Sequence, residues 1–147
     1  MTQIRKLFLS DMSSMADIHQ ACFGVKAWTI TQIESSVSLS TTQAFGVELK
    51  DGVACFCLLQ VVGDEYEVLT LATHPDHQRQ GVAMRLMKEM IAMKGVGTFF
   101  LEVAADNLPA IAFYESLGFK LFATRKGYYF HKKGCVDALN YQMKLSG

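Results

Sequence analysis

"HPDHQRQGVA", residues 74–83, lies between "EYEVLTLAT" (65–73), whose alternation predicts a strand, and "VAMRLMKEMIAMKG" (82–95), whose apolar spacing predicts a helix. A helix start exposes unpaired backbone N–H groups and the positive end of the helix dipole, so a loop that leaves them uncovered forms an anion site. Gly81 and the small Ala83 keep bulk away from that backbone, and Gln78 and Arg79 offer donors at its rim. Gln80 and Val82 complete the loop. The same stretch also fits a plain strand-to-helix turn with solvated polar residues. Neither G-x-x-x-x-G-K-[ST] nor G-x-G-x-x-G occurs, so two familiar phosphate motifs are excluded.

Outward from this junction the patterns alternate in type. Val82, Leu86, Met90 and Met93 form one apolar helical stripe, widened by Ala83, Met87 and Ile91, and Gly95 or Gly97 ends it. Upstream, "QAFGVEL" (43–49), "VACFCLLQVV" (53–62) and residues 65–73 read as three strands joined by hairpins at "KDG" and at Gly63-Asp64. Before them come a strand in "TQIRKLFL" (2–9) and a helix in "SDMSSMADIHQACF" (10–23), which Ser10 or Asp11 can cap. Trp28 precedes a second helix in "TITQIESSVSL" (29–39), with a capping box at Thr29/Gln32 or Thr31/Glu34. Downstream follow a buried strand "TFFLEV" (98–103), a helix "NLPAIAFYESLG" (107–118) with Pro in its first turn and Gly118 past its end, and strands at "FKLFATR" (119–125) and "DALNYQMKL" (137–145). The order β-α-α-β-β-β-α-β-α-β-β is an α/β fold with a mixed sheet covered by helices, and no linker or repeat divides it, so residues 1–147 are expected to form one domain.

Fourteen basic residues balance fourteen acidic ones, which argues against a broad cationic surface for nucleic acid. The apolar runs fall short of a membrane span, and the N-terminus lacks a secretory pattern, so a cytoplasmic location is expected. Cys22, Cys55, Cys57 and Cys135 show no CxxC spacing and are expected as buried reduced thiols. His19, His74, His77 and His131 offer no pair at metal-ligand spacing on a helix, so solvated or hydrogen-bonded histidines are expected and no metal.

Glu102 is the only charged residue in "TFFLEV", and a lone carboxylate in an apolar strand has either a partner or a function. Tyr114 follows Asn107 by seven residues, two helical turns, so the two share a helix face and can touch one elongated ligand; core packing is the alternative for the tyrosine. Phe113, Leu117 and Phe119 read as core.

"QRQGVA" resembles the Q/R-x-x-G-x-G/A pyrophosphate loop of the GNAT superfamily of acyl-CoA-dependent N-acetyltransferases. More specific is the joint match of "LATHPDHQRQGVA", "FLEVAADNLPAIAFYESLGF" and "RKGYYF", which is similar to the bacterial ribosomal-protein-alanine (RimI-type) branch, closely over residues 66–145. The resemblance implies acetyl-CoA as cosubstrate, with its pyrophosphate on residues 78–83, Asn107 on the pantetheine arm, and the main chain of Leu71, Ala72 and Thr73 paired with the pantetheine amides. It implies Glu102 as general base and Tyr114 as the acid that protonates the leaving thiolate. It also implies a protein N-terminus as acceptor, the N-terminal alanine of a small-subunit ribosomal protein. Ala104 and Val136 stand where that branch commonly has an arginine and a glutamate, departures that bear on the acceptor more than on the chemistry. A small-molecule N-acetyltransferase and a non-catalytic acyl-CoA-binding module are the competing readings; the pair Glu102 and Tyr114 counts against the second, which needs neither. Glu65 and Glu67 share a strand face, either to attract a basic peptide or as a solvated hairpin face.

Overall fold

The computed structural model describes residues 3–131 and 134–146. Seven strands form one mixed sheet in the order β1-β2-β3-β4-β5-β7-β6. Along the chain these are β1 (Gln3–Lys6), β2 (Thr42–Leu49), β3 (Gly52–Val62), β4 (Glu65–Thr73), β5 (Val96–Ala104), β6 (Lys120–His131) and β7 (Gly134–Ser146). The helices are α1 (Met12–Phe23), α2 (Ile30–Val37), α3 (Val82–Lys94) and α4 (Leu108–Leu117), so the element order is the one the sequence predicts. Contacts divide the chain into two compact units within β4: one holds the chain up to Gly63 and Val68–Lys94, the other Asp64–Glu67 and the chain from Gly95 on.

In the first unit β1, β2 and β3 pair antiparallel. Leu7, Met12, Met15, Ile18, Ile33, Ala44, Phe56, Leu58 and Ala72 make its core, with Trp28 packed against it. Each fully buried large side chain there contributes about 1.5–3 kcal/mol of transfer free energy. Of the two boxes open to α2, the chain uses Thr29/Gln32: the Gln32 amide donates to Thr29 Oγ1 at 3.1 Å and the Thr29 amide to Gln32 Oε1 at 2.8 Å. Asp11 stands at the N-cap of α1 but makes no side-chain cap. Its carboxylate takes the Phe8 amide and the Arg5 guanidinium instead, which holds it below the usual carboxylate range. The α3 stripe is buried at Leu86, Met87 and Met90, whereas Met93 is exposed in the last turn.

In the second unit β5 pairs antiparallel with β7, and β7 with β6. The parallel β4–β5 ladder has three pairs, Glu65↔Thr98, Tyr66↔Phe99 and Glu67↔Phe100. Its start is held by Gly97, where φ is 110° and an added Cβ would lie 2.2 Å from the Asp64 carbonyl oxygen, a distance no side chain permits. Alternation on β5 buries Phe99, Leu101 and Val103 and turns Phe100, Glu102 and Ala104 to the other, half-buried face. All four cysteines are free thiols; Cys55 and Cys57 are buried and burial pushes both thiols up, but Cys135 is exposed and Cys22 half-buried, against the expectation of four buried residues. Among the described residues no helix is long and apolar enough to cross a membrane.

Candidate active site

Two regions carry the residues singled out from the sequence, one in each unit.

In the first, β4 ends at Thr73, a short turn spans Pro75–His77, and α3 begins at Val82. His74 Nδ1 accepts the Asp76 amide at 3.0 Å and so caps the turn, and His77 Nε2 meets Asp51 Oδ2 at 3.2 Å; both histidines have structural partners, as expected. The chain then reverses into the helix through two left-handed residues, Arg79 at φ 64° and Gly81 at φ 76°. For Arg79 that conformation costs on the order of 1 kcal/mol, a strain typical of loops shaped for a ligand. The first intrahelical bond runs from the Arg85 amide to the Gly81 carbonyl at 3.0 Å, so the amides of Val82, Ala83 and Met84 have no carbonyl partner within the helix. Nothing lies within 4 Å of a Cβ built on Gly81, and residues 78–81 are all exposed. The helix start is therefore open to an anion.

Gln78 departs from the role of rim donor. Its side-chain amide donates to the Thr73 carbonyl at 3.0 Å, which also accepts from the Cys22 thiol at 3.1 Å. Gln78 thus ties the loop to the end of β4. Beneath that end His19 is buried: its Nδ1 accepts the Trp28 amide at 3.0 Å, so Nε2 carries the proton and donates to Thr70 Oγ1 at 3.0 Å. Burial lowers the His19 pKa. The side chain of His131 lies outside the described residues.

In the second region Glu102 is held by three groups. Arg125 Nε donates to Oε2 at 3.1 Å, Arg125 Nη2 donates to Oε2 at 2.9 Å and to Oε1 at 3.2 Å, and the Tyr129 hydroxyl donates to Oε1 at 3.1 Å. The Arg125 guanidinium also lies 3.7 Å over the Tyr128 ring. Burial, with Glu102 beside it, pushes the Tyr129 phenol up to about 12, so it remains a donor throughout the neutral range. Glu102 and Arg125 line a groove of about 400 Å³ with Glu67, Asn140 and Phe122. Glu102 and Asn140 are direct cross-strand partners on β5 and β7, which brings both side chains to one face. Phe122 and Ala123, neighbours in sequence, both line the groove because β6 shifts register between Leu121 and Ala123. A second shift between Arg125 and Tyr129 is pinned by Asp137, whose Oδ1 accepts the Gly127 amide at 2.9 Å.

Asn107 proves to be the N-cap of α4, its Oδ1 accepting the Ala110 amide at 3.3 Å, rather than a residue on the helix face. Tyr114 is half-buried and packs edge-on against Phe119 at 5.6 Å. Tyr141, buried on β7, donates to Glu115 Oε2 at 2.9 Å and so anchors α4 one residue past Tyr114. Glu102, expected as a lone carboxylate to have either a partner or a function, has Arg125 and Tyr129 as its partners. Their signal in the sequence was "RKGYYF", which spans both. Asp137 and Asn140 gave no local signal. Among the described residues no cluster of three or more His, Cys, Asp or Glu side chains is arranged to hold a metal ion.

Residues 12–119 match the acetyltransferase (GNAT) family. Over 99% of its length the chain is 33% identical to a protein of Escherichia coli strain K12 named [Ribosomal protein bS18]-alanine N-acetyltransferase, of which it covers 99%. It is 37% identical, over 82% of the chain and 90% of the relative, to the protein of the same name from Salmonella typhimurium strain LT2. The crystal structure of the ribosomal-protein-S18-alanine N-acetyltransferase from Escherichia coli superposes with a TM-score of 0.92, at 33% identity and covering 100% of this chain and 96% of that one.

Proposed function

We propose that this chain, which belongs to the acetyltransferase (GNAT) family, transfers the acetyl group of acetyl-CoA to the α-amine of a protein N-terminus, specifically the N-terminal alanine of ribosomal protein bS18. The observation that carries the acceptor is the end-to-end similarity to enzymes named for that reaction. The groove adds chemical support: it presents two carboxylates, Glu67 and Glu102, beside an amide, which suits an ammonium on a peptide. Residues 1–147 then act as one acetyltransferase domain, in the cytoplasm, where ribosomal proteins are made.

Within this reading the amides at residues 81–83 take the pyrophosphate, Arg79 adds charge, and Gln78 and Gln80 keep the loop in shape. The backbone of Leu71, Ala72 and Thr73, at the end of β4, takes the pantetheine amides, and Asn107 offers its side-chain NH₂ to the same arm. Glu102 accepts the ammonium proton. The free amine attacks the thioester carbonyl, a C–N bond forms, the C–S bond breaks, Tyr114 gives its proton to the departing thiolate, and its phenolate takes back the extra proton from the acylated nitrogen. An α-amine, with a pKa of about 7.7–8.0, is a tenth or more neutral near pH 7, against under a thousandth for lysine near 10.4, so one carboxylate base suffices.

The test offers two peptides of the same sequence, one with a free N-terminal alanine and one blocked there but carrying an internal lysine, with mass spectrometry locating the acetyl group. Modification of the free α-amine alone is expected. Comparable acetylation of the lysine, or brisk turnover of a polyamine with neither peptide modified, would replace this reading with a side-chain or small-molecule transferase.

A further inference from the structure

We infer that Arg125 is an internal competitor for the acceptor position: its guanidinium occupies the place on Glu102 that the substrate ammonium takes, and it must swing away for the amine to enter. The inference rests on the acceptor reading above. Three observations carry it. First, both carboxylate oxygens of Glu102 are engaged, Oε2 wholly by Arg125 and Oε1 by Arg125 and Tyr129 together, so an amine reaches a carboxylate lone pair only by displacing a present donor. Second, the donors differ in mobility. Tyr129 is a half-buried, two-torsion side chain, whereas the Arg125 side chain is 53% exposed on a long flexible stem. Third, a resting place adjoins it: the guanidinium already lies on the Tyr128 ring, and that ring, itself exposed, can keep the cation after it leaves Glu102.

The chemistry of the exchange is cation for cation. A guanidinium forked onto a carboxylate presents positive charge and N–H donors in the same directions as an approaching ammonium. A half-exposed pair of this kind is weak enough to yield to a substrate that brings its own charge. An acceptor that is uncharged, or too short to reach Glu102 while gripping the groove elsewhere, does not compete. Arg125 is therefore a specificity-determining residue, distinct from the groups that handle the reacting proton.

The variants that test this are Arg125→Gln, which keeps a polar side chain but removes the charge, and Arg125→Lys, which keeps the charge without the fork. Thermal melting and acetyl-CoA KM serve as fold controls. For the alanine-starting peptide, Arg125→Gln is expected to lower the acceptor KM by about two- to fivefold, the strength of an exposed ion pair, with acetyl-CoA KM unchanged; Arg125→Lys should stay near the wild type. A group that merely braced the groove would raise the acceptor KM or lower kcat with KM constant, and either result in a normally folded Arg125→Gln protein would overturn the inference. If the wild type acetylates the peptide but the variant's KM does not fall, the acceptor reading survives and this inference fails. If the wild type acetylates no peptide α-amine, both fall together.

Discussion

The helix-start loop at residues 78–83 and the groove around Glu102 solve opposite problems with opposite materials. The loop offers main-chain amides, fixed by two left-handed residues and a Gln78 tether, and the side chains of residues 78–81 are exposed. The groove offers side chains, gathered from β4, β5, β6 and β7 by register and two β-bulges. A constant ligand group such as a pyrophosphate is met well by backbone, which any sequence supplies once the turn is set. A reacting amine needs a particular carboxylate in a particular place, which only side chains supply. The difference predicts that substitutions will act steeply in the groove and mildly in the loop, except where they change the loop's backbone or charge.

The steepest case is Glu102→Gln. It preserves shape and keeps an acceptor for Arg125, but the amide cannot take the ammonium proton. In the proposed mechanism kcat should fall by about 10²–10⁴, the usual worth of a general base, while acetyl-CoA affinity holds. Steady-state rates with the alanine-starting peptide decide it. Near-wild-type turnover would break the comparison by showing that the groove is not where the proton goes.

Within the loop, Gly81→Glu should weaken coenzyme A binding on the order of tenfold, because it places a like charge against the pyrophosphate and forces a side chain to φ 76°. Arg79→Ala should cost only a few-fold, the contribution of one exposed cation. Calorimetric titration of coenzyme A into both variants sharpens the contrast. A larger loss for Arg79→Ala than for Gly81→Glu would mean that side chains, and not amides, carry the anion.

The same difference explains what was legible in the sequence. The loop is contiguous, so Gly81, the strand before it and the helix after it were readable together, as were the Thr29/Gln32 box and the Gly118 cap. The groove is not contiguous. Glu102 betrayed itself as a charge in an apolar strand, but Arg125, Tyr129 and Asn140 reach it only through the β5–β7–β6 register, and that register is set by bulges that no alternation pattern announces. Gln78 and Asn107 were legible as polar residues in the right segments but not in their orientation: each spends a hydrogen bond on the protein, Gln78 on the Thr73 carbonyl and Asn107 on the Ala110 amide. Local chemistry fixes which residues are available, whereas long-range pairing fixes where they point.

The smallest expected effect concerns what lies beneath each region. The end of β4 rests on a buried neutral histidine, and the groove rests on a half-exposed ion pair. His19 accepts the Trp28 amide through Nδ1, so protonation there would break that bond and leave a charge among Phe23, Trp28 and Phe56. Its folded pKa is lowered by burial from the ordinary 6.5. The sign follows: below 6.5 the unfolded chain binds a proton that the folded chain refuses, so the stability His19 contributes is complete above 6.5 and is lost as pH falls towards the folded pKa. The slope from one such group reaches at most about 1.4 kcal/mol per pH unit. Melting temperatures of the wild type should therefore decline between pH 7 and 5, and those of His19→Gln, less stable at neutral pH by about 1–3 kcal/mol for its lost bonds, should decline less. Amide exchange at pH 5.5 should place the loosening in α1 and in β4 near Thr70, with β5 and β7 still protected. Acid-induced exchange appearing first around Glu102 would reverse the assignment and make the ion pair, not the histidine, the acid-sensitive support.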